Sequence, residues 1–151
     1  MVVSPDLGNA KTAAAFARML GVPVAAGAKQ RYDDDKVTIT TVIGDVTGRN
    51  VIIIDDEIAK GSTVLELLQR LRELGAGSVR IACTHGLFAN GSLGRLAAQD
   101  EVVEIVCTNT VPIPTATDVP KLRVLSIAPA LAEAMRRIHN GESVSALFDA
   151  S

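Results

Sequence analysis

Residues 51–64 read VIIIDDEIAKGSTV: four β-branched residues in a row, two adjacent carboxylates, a loop of mostly small residues and the start of a helix. A run this apolar is buried on both faces, which calls for a parallel sheet with helices packed on each side. No other feature of the chain restricts its fold as strongly. The same stretch poses a chemical problem. Asp55 and Asp56 stand side by side at the end of that strand, and two like charges at a buried edge cost free energy unless a cation or a hydroxyl meets them.

The remaining segments supply the sheet and its helices. VVS at 2–4 is a short apolar run, and Ala13, Phe16, Ala17 and Leu20 then follow at helical spacing until Gly21 and Pro23 stop the helix. KVTITTVIG at 36–44 alternates as a half-exposed strand does. Val64, Leu67, Leu68 and Leu71 place a stripe on the next helix, which ends near Gly75. VRIAC (79–83), VVEIVC (102–107) and LRVLSIA (122–128) read as further buried strands, and Leu131, Ala134, Met135 and Ile138 mark the last strong helix. Strands alternating with helices of this length predict an α/β fold with a doubly wound, largely parallel sheet. With 151 residues and no repeat or linker, the chain is expected to form one domain over residues 1–151.

In such a sheet ligands bind beyond the carboxyl ends of the strands. Each strand here leads into polar residues: Ser4-Pro5-Asp6-Leu7-Gly8, Asp55-Asp56, Thr84-His85-Gly86 and Thr108-Asn109-Thr110. That shared rim is the expected site. Gly61-Ser62-Thr63 sits where strand passes to helix, so its N–H groups and the helix dipole can hold an anion. The plainer alternative is that Ser62 or Thr63 merely caps the helix. The carboxylates a few residues away favour a ligand with a phosphate at one end and hydroxyls, or a divalent cation, at the other. The plain alternative for the pair itself is a solvated turn.

The segment KQRYDDDK (29–36) reads by default as a solvated loop. Lys29 and Arg31 could instead close over a transferring phosphoryl group. Asp33, Asp34 and Asp35 point in different directions and are expected to be solvated rather than metal ligands. His85 is expected to be a hydrogen-bonded structural residue, and His139 suits a helix C-terminus.

Composition removes several classes. Aromatic residues make up 3% of the chain with no Trp, and the net charge is −2, which argues against nucleic-acid binding. No apolar run reaches membrane-spanning length, and the N-terminus lacks a secretory signal's basic and apolar regions. Cys83 and Cys107 each end an apolar run and read as free core thiols, so a cytoplasmic setting is expected.

The ordered series of motifs resembles ribose-phosphate pyrophosphokinase, the phosphoribosyl pyrophosphate synthetase family, over nearly the whole chain. VVSPDLGNAK resembles the family's VVSPDxGG segment and AKQR its flexible catalytic loop. IGDVTGRNVIIIDDEIAKGST is similar to its GDVxGR segment with the ribose-5-phosphate motif. CTHGLFANGS resembles THGxFSG, TNTVPIP resembles TxTIP, and LAEAMRRIHNGESVSALF resembles the C-terminal signature. The resemblance implies the C-terminal of two tandem type I phosphoribosyltransferase-like domains. It implies Lys29 and Arg31 as catalytic residues and Asp6 as a magnesium ligand. Asp55 and Asp56 would hold the ribose hydroxyls, and Ala59, Lys60, Gly61, Ser62 and Thr63 would cradle the 5-phosphate. The implied reaction moves the β,γ-diphosphoryl group of ATP to the 1-hydroxyl of ribose 5-phosphate, with Mg²⁺ as cofactor, in a homo-oligomer.

Two departures stand out. The family's phosphate loop usually reads DTGGT or DTAGT, whereas this chain has Ala59-Lys60-Gly61-Ser62-Thr63. The N-terminal half, which supplies most ATP contacts in the family, is absent. The expectation is a fragment or truncated paralogue that binds ribose 5-phosphate and is inactive alone. The competing expectations are a non-catalytic regulatory paralogue associated with an active synthetase, a stand-alone phosphoribosyltransferase and, less suited because it leaves Lys29 and Arg31 without a task, a response-regulator-like domain.

Overall fold

The computed structural model of the chain describes residues 1–33, 36–113 and 119–148, those between 29 and 40 by backbone alone. The strands are β1 (Val2–Ser4), β2 (Val24–Asp33), β3 (Lys36–Ile43), β4 (Val51–Ile58), β5 (Val79–Gly86), β6 (Val102–Thr108) and β7 (Leu122–Leu125). The helices are α1 (Ala10–Leu20), α2 (Ser62–Glu73), α3 (Ser92–Ala97) and α4 (Ala128–His139), with single 3₁₀ turns at Ala89–Gly91 and Ser145–Leu147. The strands form one sheet in the order β3-β2-β1-β4-β5-β6-β7. All neighbours are parallel except β2 and β3, which form an antiparallel arm at one edge. The expected largely parallel α/β sheet is what forms.

Because side chains alternate across a strand, neighbouring residues serve different layers. Val3, Ile53, Ile81 and Ile105 pack with Val64, Leu67, Leu68 and Leu71 of α2 and Leu93 and Leu96 of α3 in the main core. Val2 and Ile54 turn to the opposite face and meet Ala13 and Ala17 of α1. The predicted stripe on α2 is buried throughout. Gly21, in the left-handed conformation, ends α1 by donating its N–H to the last turn.

Several expectations change. β4 does not end at the acidic pair: its ladder with β5 continues through Asp55↔Cys83, Glu57↔His85 and Ile58↔Gly86. Residues 29–33 and 36 are not an open loop in backbone terms, since Lys29, Gln30, Arg31 and Asp33 pair with β3. Asp34 and Asp35 lie outside the described residues. The helical stripes predicted on α1 and α4 are not buried as units. Phe16 and Leu20 are exposed, and α4 has no buried residue, with Leu131 49%, Met135 66% and Ile138 68% exposed.

The sheet explains the last point. On the α1 side, β5 to β7 carry Arg80, Glu104 and Arg123, with Glu104 3.4 Å from Arg80 and 4.0 Å from Arg123. β7 is an edge strand with three of its four residues exposed. LRVLSIA is therefore not a doubly buried strand. α1 packs over β1 and β2, and among the described residues no helix covers this half of the face.

Candidate functional site

Successive residues of an extended strand point in different directions, so Asp55 and Asp56 need not be buried alike. Asp55 is half-buried and Asp56 exposed. The Asp55 carboxylate accepts from the Asp56 N–H at 3.0 Å and from Asn9 Nδ2 at 3.3 Å. Burial pushes the Asp55 pKa up to about 6, and Asp56 and the nearby negative charge of Asp6 add to the rise. This is the cost anticipated for paired acids at a buried edge.

Asp6 approaches from the turn after β1. Its carboxylate accepts the Asn9 N–H at 3.0 Å, and the Ser4 hydroxyl donates to the Asp6 carbonyl at 2.6 Å. Asn9 occupies the N-cap position of α1 without capping it. Its side chain goes instead to Asp55 and to the Ile54 carbonyl, 3.4 Å away. Asn9 was not singled out from sequence. The available signal was its place in SPDLGN, where the family pattern has glycine.

Gly61 is the N-cap of α2, left-handed at φ 70°, and makes no side-chain cap. Neither Ser62 nor Thr63 is the capping residue, because both already lie in the first helical turn. Both residues belong to the turn whose N–H groups helix geometry leaves unpaired, and both line a cavity of about 310 Å³ bounded by residues 57–64 and by Asp55. The start of α2 and a carboxylate therefore share one space. Lys60 is exposed at its margin, and Ala59 contributes backbone.

A second cavity of about 360 Å³ joins the other strand ends: Asn9, Asp55, Asp56, Thr84 and Thr108 meet there beside an apolar wall that includes Phe16 and Val106. The polar rim expected from sequence is thus assembled in space. Around it, Thr108 and Thr110 donate to the Thr84 carbonyl at 2.7 and 3.0 Å, and His85 Nδ1 lies 2.8 Å from Thr110 Oγ1. His85 has the hydrogen-bonded structural setting expected of it. Cys83 and Cys107 are buried, free and in register on neighbouring strands. Burial, with help from Cys107 and Asp55, raises the Cys83 thiol to about 12, so it is a protonated core residue and not a nucleophile.

Magnesium accepts oxygen donors and commonly keeps several waters, using one or two carboxylates plus substrate oxygens. The rim suits that mode. Asp6 is a carboxylate close enough to raise the cost of ionising Asp55, which a cation would relieve. The rim is not a closed protein cage: among the described residues no group of three His, Cys, Asp or Glu stands together to hold a metal. Lys29 and Arg31 lie on β2 by backbone, and their side chains are outside the described set.

The comparisons agree with this architecture. A family model for the phosphoribosyl synthetase-associated domain matches residues 31–149. A Streptomyces coelicolor protein named "Putative ribose-phosphate pyrophosphokinase" is 76% identical over 149 residues, covering 99% of this chain and 47% of that protein. The ribose-phosphate pyrophosphokinase of Synechococcus elongatus is 39% identical, covering 98% and 45%. The crystal structure of phosphoribosylpyrophosphate synthetase from Mycobacterium smegmatis matches with a TM-score of 0.81 at 40% identity, covering 93% of this chain and 45% of that one. A purine phosphoribosyltransferase from Pyrococcus horikoshii shares the fold, with a TM-score of 0.50 at 21% identity. The chain spans about half the length of the curated relatives it matches. With this sheet, these motifs and these matches, the chain belongs to the phosphoribosyl synthetase-associated domain family and has the type I phosphoribosyltransferase-like fold.

Proposed function

We propose that this chain is the ribose-5-phosphate-binding half of a ribose-phosphate diphosphokinase, which converts ATP and ribose 5-phosphate to AMP and phosphoribosyl pyrophosphate. One observation carries the reading: Asp55 and the 59–63 loop line the same cavity. The loop's N–H groups and hydroxyls take the 5-phosphate, while Asp55 and Asp56 accept from the ribose hydroxyls. Asp6 and Asp55 would hold Mg²⁺, which when bound neutralises charge on the substrate's phosphoryl oxygens. Lys29 and Arg31, carried on the β2–β3 arm, stabilise charge that develops on the transferring group. ATP is held largely by a second domain, so the 151-residue chain binds substrate without turning it over.

The exposed apolar stripe of α4 supports a second domain packing there, and the half-length match to the relatives fits it. A homo-oligomer and a cytoplasmic setting accompany this reading, the latter supported by two free buried thiols. Among the described residues no helix is long and apolar enough to cross a membrane. The rival reading, a non-catalytic regulatory paralogue, is favoured by Ala59 and Lys60, which replace a carboxylate and a hydroxyl of the family's loop.

Calorimetry with ribose 5-phosphate and ribose tests the site. Each charge-assisted hydrogen bond to the phosphate contributes roughly 1.5–3 kcal/mol, so ribose 5-phosphate should bind at least ~10-fold more tightly than ribose. Equal affinity for the two sugars removes the loop from the site.

A further inference from the structure

The cradle is held in shape from behind. Ser92, the first residue of α3, is fully buried, and its hydroxyl donates to the Ala59 carbonyl at 3.0 Å. The Ala89 N–H donates to that same carbonyl at 2.9 Å. Arg95, one turn further along α3, donates from Nη2 to the Lys60 carbonyl at 2.9 Å. The Ile58 carbonyl accepts from the N–H groups of Leu87 and Phe88. Three consecutive carbonyls are thus bound by one segment, and none of that segment's residues lines the 57–64 cavity. In a trans peptide the N–H points opposite to the carbonyl of the same unit. Holding the carbonyls of 59 and 60 toward α3 therefore turns the N–H groups of Lys60 and Gly61 away from it, on the side where the cavity opens. The fit is close at Gly61 as well: a Cβ there would lie 3.1 Å from the Ser92 Cβ.

We propose that Ser92 and Arg95 are positioning residues for the anion cradle: they preset the direction of its backbone N–H groups without touching the ligand. This rests on the reading of the loop as a phosphate site. Preorganised donors bind an anion better than mobile ones because no ordering cost falls on the binding step. The Lys60 carbonyl is tethered only through the exposed Arg95 side chain among the interactions described, so Arg95→Ala loosens the loop without threatening the core.

The test compares the chain with Ser92→Ala, Arg95→Ala and Arg95→Lys in two measurements. In the ligand-free protein, amide hydrogen exchange at Ala89 and Leu65, whose N–H groups donate to the Ala59 and Gly61 carbonyls, should quicken in Ser92→Ala and Arg95→Ala. In calorimetry both variants should lose about ten-fold in affinity for ribose 5-phosphate. Ribose binding should stay within about two-fold of the parent, and Arg95→Lys should recover part of the loss. A merely structural role would lower both sugars' affinities together, and that outcome overturns the proposal. So does unchanged exchange and unchanged ribose 5-phosphate affinity in folded Arg95→Ala, even if Ser92→Ala fails to fold. If the parent chain binds no ribose 5-phosphate, the functional reading fails alone. Faster exchange in the variants would then still support the clamp, and unchanged exchange would remove it.

Discussion

Asp55 carries the electrostatic cost of the site. Its pKa rises on folding from an ordinary 3.8 to about 6, chiefly through burial and then through Asp56 and Asp6. The native state therefore binds more protons than the unfolded chain across that window. The contribution of Asp55 to stability is present below the unfolded value and is lost as pH rises through about 6. Asp55→Asn should consequently stabilise the chain at pH 7 and leave it nearly unchanged at pH 4. The gain at neutral pH is about 1 kcal/mol once solvent screening of a half-buried carboxyl is allowed for. Melting curves of parent and variant at both pH values check this, and a pH-independent difference would show that the charge is already neutralised. The same substitution should weaken ribose binding, since the acid that costs stability is the one proposed to accept the sugar hydroxyls. Strain retained at a site in return for binding is the pattern expected of a functional residue.

At the scale of the element, α2 and α4 share a sequence pattern and differ in fate. Both carry apolar residues at helical spacing, yet Leu67 is 0% exposed and Ile138 is 68% exposed. Leu67→Ala should cost about 2–5 kcal/mol, because it opens a cavity between α2 and the sheet. Ile138→Ser should change the stability of the 151-residue chain by less than about 0.5 kcal/mol, since little packing is lost. Chemical denaturation of the two variants separates these outcomes. A large loss from Ile138→Ser would mean that α4 is packed in solution. The β2–β3 arm differs again. Its strands pair with each other at the edge of the sheet, and Lys29, Gln30, Arg31 and Asp33 pair with β3, beyond the β2 residues that pair with β1.

For the whole molecule, the decisive fact is that the chain matches about half of each relative while its described residues form one seven-stranded, largely parallel sheet. The 151-residue chain should bind ribose 5-phosphate and produce no phosphoribosyl pyrophosphate from ATP. In a chain restored to the relatives' full length, Lys29→Ala should lower the rate by about 100- to 1,000-fold and leave ribose 5-phosphate affinity nearly unchanged. Such a donor meets charge that develops only during transfer. Rate and affinity measured together on that variant decide the matter. An unchanged rate would make Lys29 an ordinary residue of an edge strand, and brisk turnover by the 151-residue chain would remove the need for a second domain.

Periodicity and strand-end chemistry in the sequence determined the parallel sheet, the buried stripe of α2, the free core thiols and the assembly of Asp6, Asp55 and residues 59–63 at one rim. These follow from local patterning, because a doubly wound sheet brings the carboxyl ends of its strands to one edge whatever the details. Only the tertiary structure decided that Asp55 is half-buried while Asp56 is exposed, since that depends on strand twist and on what packs over each face. It also decided that Asn9 turns from its own helix to Asp55, and that Ser92 and Arg95, some 30 residues beyond the loop, hold its carbonyls. The exposure of α4 was illegible for the same reason. An apolar stripe records that a helix has a partner, and it does not record whether that partner lies within the same 151 residues.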